Sequence, residues 1–208
     1  MWLALRNSVV IGVAVVVVSV PLGVAAALLL DSLHRRARGL LYAVMVSPLL
    51  TPGVIIGIAT LVFWQRLGVS GGLHLVVIGQ TSFIAAYVML MVSARLQRFD
   101  RTLEEAALDL GASHGLAFRR ILLPHLWPAI VAAGVLAFFQ SFENYNTTLF
   151  TRGTDSTLTI FIASKVRTGL TPAVNALGLV LIALTVLGAV AYEILRRRGA
   201  TRNLGASD

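Results

Sequence analysis

Glu143 is the one carboxylate set well inside a long apolar run of this 208-residue chain, in the string Gln140-Ser141-Phe142-Glu143-Asn144-Tyr145-Asn146. A carboxylate flanked by amides offers an anionic, hydrogen-bonding wall, which is chemistry suited to a cation. Near the centre of a membrane helix such a group costs ~2.5–3.5 kcal/mol on insertion scales. On a helix starting near Pro128, Glu143 falls ~22 Å along the axis, in the outer half of a bilayer, where the penalty shrinks. Two readings stand. Gln140, Glu143, Asn144 and Asn146 line a cation-accepting path. Alternatively, Glu143 is a rim carboxylate paired with Arg152 or Arg167, with Gln140 and Asn144 in a polar contact between helices.

Other chemistries are excluded or unsupported. With no cysteine there is no disulfide, thiolate nucleophile or Cys-ligated metal. His34, His74, His114 and His125 share no metal-ligand spacing and have no acidic cluster beside them, so no metal or cofactor is expected. The single lysine, Lys165, is followed by Val166, so the phosphate-binding Gly-Lys-Ser/Thr signature is missing. If nucleotide energy is used, another chain must hydrolyse it.

The elements that position these residues are membrane helices. Apolar residues make up 57% of the chain and charged residues 12%, about half the share usual in soluble domains; the mean hydropathy is +0.85. Crossing hydrocarbon takes ~20 mostly apolar residues as helix, and five segments qualify, at about 9–30, 39–64, 73–94, 126–150 and 172–195. Open sheet would strand backbone groups in lipid, and the alternation of a membrane barrel is missing. A signal peptide is the rival for the first segment, but its run is long and no small-residue cleavage site follows. Pro48 and Pro52 inside the second segment are read as helix kinks, or as a source of freed carbonyls facing a pathway.

The net charge of +8 would raise nucleic acid in a soluble protein, but here the basic residues fall between apolar runs. Twelve of the 17 Lys and Arg fall on one side, among them Arg35, Arg95, Arg119 and Arg196, and five fall on the other. The positive-inside rule makes the first side cytoplasmic, with the N-terminus outside and a basic cytoplasmic tail at 196–208. Arg196 to Arg198 would anchor the last span to anionic headgroups, and Thr171-Pro172 would open it. Between Thr154 and Thr171, Ile160, Phe161 and Val166 suggest an amphipathic helix on the outer surface, within reach of a solute-delivering protein.

The cytoplasmic connection at 96–125 is too regular for a solvated linker. Thr102 and Glu105 fit a capping box, Leu103, Ala106, Ala107 and Leu110 recur at helical spacing, and Gly111 stands where a C-terminal cap belongs. Ser113 can open a second short helix, which Pro124 is expected to stop. Glu105-Ala106-Ala107, three residues, Gly111, nine residues, then Ile121, Leu123 and Pro124 resembles the EAA motif of the membrane subunits of ABC importers.

From about Asn7 to the end of the fifth span the chain is similar to spermidine/putrescine-type permease subunits. The likeness includes Ser47-Pro48, Arg95-Leu96, Phe99-Asp100, the run from Leu108 to Ser113, and the run from Leu170 to Leu177. The resemblance implies an all-α, five-span chain in a bacterial inner membrane, with the type I importer permease fold minus its first helix, since such subunits usually have six spans. It implies a transmembrane permease domain over 1–195, non-catalytic, forming the path for a polyamine or related cation. A cytoplasmic ATPase would receive the helix around Ala112 to Arg120 in a cleft, with Glu105 and Gly111 fixing its angle. The other implied partners are a second, different membrane subunit and an extracytoplasmic solute-binding protein. The same machine serving another solute, such as a phosphonate or iron chelate, is the nearest alternative. A secondary carrier, a channel and a non-transporting scaffold are more distant.

Overall fold

Helix is the only regular structure among the described residues of the computed structural model, which are 1–168 and the isolated positions Leu179 and Ala183. The chain divides into two compact units, Met1–Phe161 and Ile162–Asp208. The predicted span at 172–195, its Thr171-Pro172 cap and the basic tail at 196–208 lie outside the described residues.

Three helices among the described residues are long and apolar enough to cross a membrane: α1 (Trp2–Ser32), α4 (Leu73–Leu96) and a continuous rod from His114 to Phe142. They form the core of the first unit. Ile11, Val15 and Ala27 of α1 pack with Ile84, Val88 and Val92 of α4, and with Leu126, Ala133 and Ala137 of the rod. In lipid, apolar surface alone does not drive helices together, and close packing through small residues is one of the forces that does. Gly23 of α1 serves this purpose, because a Cβ there would lie 2.5 Å from the Val88 Cβ and 2.7 Å from the Ala85 carbonyl oxygen. The span expected at 73–94 is α4, and that expected at 9–30 is the middle of the longer α1.

The segment expected as one kinked span at 39–64 is instead two helices, α2 (Arg35–Leu50) and α3 (Gly53–Arg66), meeting at 102°. Counted as one broken span, they bring the number of candidate spans among the described residues to four. The two prolines break the helix rather than merely bending it. Pro52 has no N–H for the Pro48 carbonyl, and its ring drives the preceding Thr51 to extended backbone, φ −88° and ψ 128°. Side chains repair the losses. The Ser47 hydroxyl donates to the Val44 carbonyl at 2.8 Å, where the missing Pro48 N–H would have bonded. Thr51 N–H donates to the Pro48 carbonyl at 3.3 Å, and Thr51 Oγ1 to the Ser47 carbonyl at 3.0 Å.

The fourth predicted span also differs. Its helix does not begin at 126 or run to 150. Instead, α6 (His114–Ala117) passes through a π turn (Phe118–Leu122) into α7 (Leu123–Phe142), which ends before α8 (Asn146–Thr151). Pro124 therefore does not stop the short helix. It sits in the first turn of α7, where the widened turn before it, with Leu123 N–H bonding back to Phe118, accommodates the missing donor.

Candidate functional site

Two arrangements stand out, one at each end of the α4–α7 pair. The first lies where the helix breaks at Thr51-Pro52 and at Glu143-Tyr145 face one another. Gly57 of α3 is in backbone contact with Thr147 of α8, since a Cβ there would come within 2.9 Å of the Thr147 carbonyl oxygen. The Thr147 hydroxyl donates to the Gly53 carbonyl at 3.2 Å. Between the breaks lies a cavity of about 210 Å³. Pro48, Leu49, Thr51, Gly53 and Ile56 line it from one break, Asn144 and Asn146 from the other, and Phe83 and Tyr87 from α4. Irregular backbone within an apolar bundle is tolerated where it borders a cavity, and both breaks border this one.

The second break is built by Asn144. Its Oδ1 accepts the N–H groups of Thr147 at 3.2 Å and Thr148 at 3.3 Å, starting α8 anew where α7 would otherwise have continued. A buried polar chain holds this turn in place. Ser141 donates to Gln80 Oε1 at 2.5 Å, Gln80 Nε2 donates to Thr148 Oγ1 at 2.8 Å, and Thr148 Oγ1 donates to Asn144 Oδ1 at 3.3 Å. Gln80 is 1% exposed and so ties α4 to both sides of the break from inside the bundle.

The four sequence-predicted pathway residues are spread across this break rather than along one wall. Gln140 is half-buried within α7, Glu143 is its exposed C-cap, Asn144 caps α8, and Asn146 is the first residue of α8. Only Asn144 and Asn146 reach the cavity. Arg152 does not meet Glu143; its Nη1 donates to the backbone carbonyl of Asp155. The polar contact between helices exists, but it runs through Ser141 and Gln80. Gln80 was missed, although its position as the sole amide in the apolar run of α4 was a usable signal.

The second arrangement is the hairpin between α4 and α7. Helix α5 (Thr102–Asp109) does not begin with the expected Thr102–Glu105 box. Thr102 lies inside the helix, and Asp100 Oδ1 takes its hydroxyl at 2.7 Å and its N–H at 3.0 Å. Those two bonds, the hydroxyl's foremost, hold the Asp100 carboxyl below its ordinary pKa. Gly111 ends α5 at φ +84°. Its N–H bonds to the Leu108 carbonyl at 2.9 Å while that of Ala112 bonds to Ala107 at 3.0 Å, a Schellman closure. Ser113 then caps α6, its hydroxyl accepting the Leu116 N–H at 3.3 Å.

The hairpin is tied to the bundle at two points. Arg101 pairs with Asp31 at the end of α1 and with Glu104 of α5. Arg95 Nε donates to the His125 carbonyl at 3.1 Å, and His125 Nε2 lies 3.3 Å from the Arg95 carbonyl, with Phe99 packed against its ring. The outward side stays open. Glu105 and Ala106 are exposed, as are Leu103, Leu116 and Leu110, the last at 89%. Ala107, Ala112, Ile121 and Leu123 are half-buried. Among the described residues no cluster of His, Asp and Glu could hold a metal ion.

Residues 19–200 match the family described as binding-protein-dependent transport system inner membrane component. The chain is 33% identical over 168 residues to the spermidine/putrescine transport system permease protein PotC of Escherichia coli (strain K12), covering 80% of this chain and 62% of that protein. It is 34% identical over 185 residues to the putrescine transport system permease protein PotI of the same organism, covering 85% of this chain and 66% of PotI. The chain thus spans less than two thirds of the length of these curated relatives. Two solved structures share the fold. One is an amino acid ABC transporter with histidines, with a TM-score of 0.68 at 18% identity, over 94% of this chain and 92% of that one. The other is the MetNI methionine ABC transporter in inward-facing conformations, with a TM-score of 0.68 at 22% identity, over 91% and 89%.

Proposed function

Since the chain belongs to the family of binding-protein-dependent transport system inner membrane components, we propose that it is the non-catalytic permease subunit of an ATP-driven importer, forming part of the path for a polyamine or similar small cation. The observation that carries this reading is the hairpin. Its Glu105-to-Pro124 string resembles the docking motif of such subunits, and it is folded as a capped, closed unit on which Leu103, Leu110 and Leu116 are exposed.

The work of such a subunit is mechanical. A cytoplasmic ATPase that closes on ATP displaces the element seated in it, and the displacement is useful only if the connection is stiff. Here α6 runs without interruption through the π turn into α7, and α7 packs along α1 and α4. A push on α6 is therefore a push on a rod of the bundle core. Glu105, Ala106, Ala107, Gly111, Ala112, Ser113, Ile121, Leu123 and Pro124 form the docking element or fix its angle. The positive-inside rule supports a cytoplasmic hairpin, an outside N-terminus and a cytoplasmic C-terminus. A second, different permease subunit and an extracytoplasmic binding protein complete the assembly in a bacterial inner membrane.

Polyamine as the solute is supported by the sequence relatives, because the shared fold also serves transporters of amino acids and methionine. Glu143, exposed beside the cavity's Asn144, acts as an entry carboxylate that raises the local concentration of a cation. The test is reconstitution with the ATPase, the second subunit and the binding protein in liposomes. The expected result is a stable complex and ATP-dependent putrescine uptake. Uptake that proceeds without any ATPase subunit would refute the reading.

A further inference from the structure

Among the described residues, the cavity between the helix breaks has no ionised side chain in its lining, although it sits one residue from Glu143. We infer that it is an uncharged subsite for a primary ammonium group, made by the rings of Phe83 and Tyr87 with the Thr51 hydroxyl, the Asn146 amide and the carbonyl end of α2. This rests on the permease reading and gives that path its selectivity.

An ammonium carries three donors and no acceptor, so it needs oxygens around it. The last carbonyls of a helix lack intrahelical partners. At the end of α2, Thr51 takes up Ser47 and Pro48, while Leu49 in the same turn borders the cavity. Asn144 Oδ1 is already committed to α8, which leaves Asn146 as the amide that can turn toward a solute. The helix ends alone do not set the sign of the guest, because the positive N-terminus of α3 opposes the negative C-terminus of α2 at the same place.

The rings decide. Phe83 and Tyr87 stand four residues apart on one face of α4, and aromatic rings attract ammonium groups most strongly when water is excluded. No lysine or arginine among the described residues lines the cavity to favour an anion over an ammonium. Its 210 Å³ holds several waters, or an ammonium with its first methylenes. Neutral partners also suit passage. A solute must enter favourably yet leave again, whereas a carboxylate buried here would demand a cation's permanent company.

The experiment is ATP-dependent putrescine uptake by the full reconstituted importer, compared across variants that co-purify with their partners. Tyr87→Leu and Phe83→Leu are each expected to lower uptake at subsaturating putrescine by ~2- to 30-fold. Tyr87→Phe, which keeps the ring, is expected to stay near the unaltered protein, so that a ring is distinguished from a hydroxyl even if one leucine variant fails to assemble. Uptake unchanged in the leucine variants would overturn the subsite while leaving the permease reading intact. Loss in Tyr87→Phe equal to that in Tyr87→Leu would do the same. An unaltered complex that takes up no putrescine would overturn both.

Discussion

Substituting Gly111 separates the geometry of the hairpin from its contacts. The residue has φ +84° and closes α5 through the Gly111 and Ala112 N–H bonds. Among the described residues, a Cβ placed on it would meet nothing within 4 Å, so alanine clashes with no packed neighbour there. What remains is the backbone cost of an L-residue in the left-handed region, ~1–2 kcal/mol. Asparagine tolerates that region better. With 8 residues, α5 is too short to persist by itself, so the cost falls on the hairpin's angle. At ~1.4 kcal/mol per factor of ten, Gly111→Ala reduces the ratio of native to alternative hairpin geometries by ~5- to 30-fold. The assay is coupling in the reconstituted importer, read as solute-stimulated ATP hydrolysis and uptake together. Gly111→Ala is expected to lose much of both, and Gly111→Asn far less. Alanine behaving like glycine would refute the reasoning. Asparagine as damaging as alanine would show that the side chain is excluded by a partner rather than strained in this chain.

Four further outcomes can be checked. Gly23→Ala forces a Cβ to 2.5 Å from the Val88 Cβ and is expected to destabilise the bundle by ~1–3 kcal/mol in thermal unfolding, whereas Gly134→Ala, with its nearest neighbour at 3.8 Å, is expected to be neutral. Gln80→Leu strands the Ser141 hydroxyl and loosens the turn at Asn144; unfolding in detergent is expected to show a loss of ~0.6–2 kcal/mol, accompanied by reduced uptake. Asp100 has a depressed pKa when folded, so its anchoring of Thr102 is complete above the ordinary aspartate range and is lost as pH falls through the folded value. Amide protection in α5, taken relative to unfolded-chain exchange at each pH, is thus expected to be flat from neutral to mildly acidic pH and to fall only in stronger acid, while Asp100→Asn removes that acid-dependent step. Glu143→Gln is expected to raise the putrescine concentration giving half-maximal uptake while leaving the maximal rate nearly unchanged; an unchanged half-saturation point would return Glu143 to a structural role.

The sequence by itself determined the class of the protein and the location of its hairpin. Twenty-residue apolar runs can do little but form helices in lipid, and a glycine followed two residues later by serine can be read as a stop and a start without knowing any neighbour. Local rules failed where two solutions were locally equivalent. Pro48 and Pro52 permit a kink or a break, and the choice fell to a break because Ser47, Thr51 and the close approach of Gly57 to Thr147 satisfy the freed groups. Pro124 could end a helix or begin one, and the π turn before it decided for continuity. Glu143 stands out in the sequence as the one carboxylate well inside an apolar run, yet the polar centre forms around Gln80, whose partners Ser141 and Thr148 lie 61 and 68 residues away. Hydrogen bonds over such separations depend on which faces of α4, α7 and α8 are turned toward one another, and that is settled only when the helices pack.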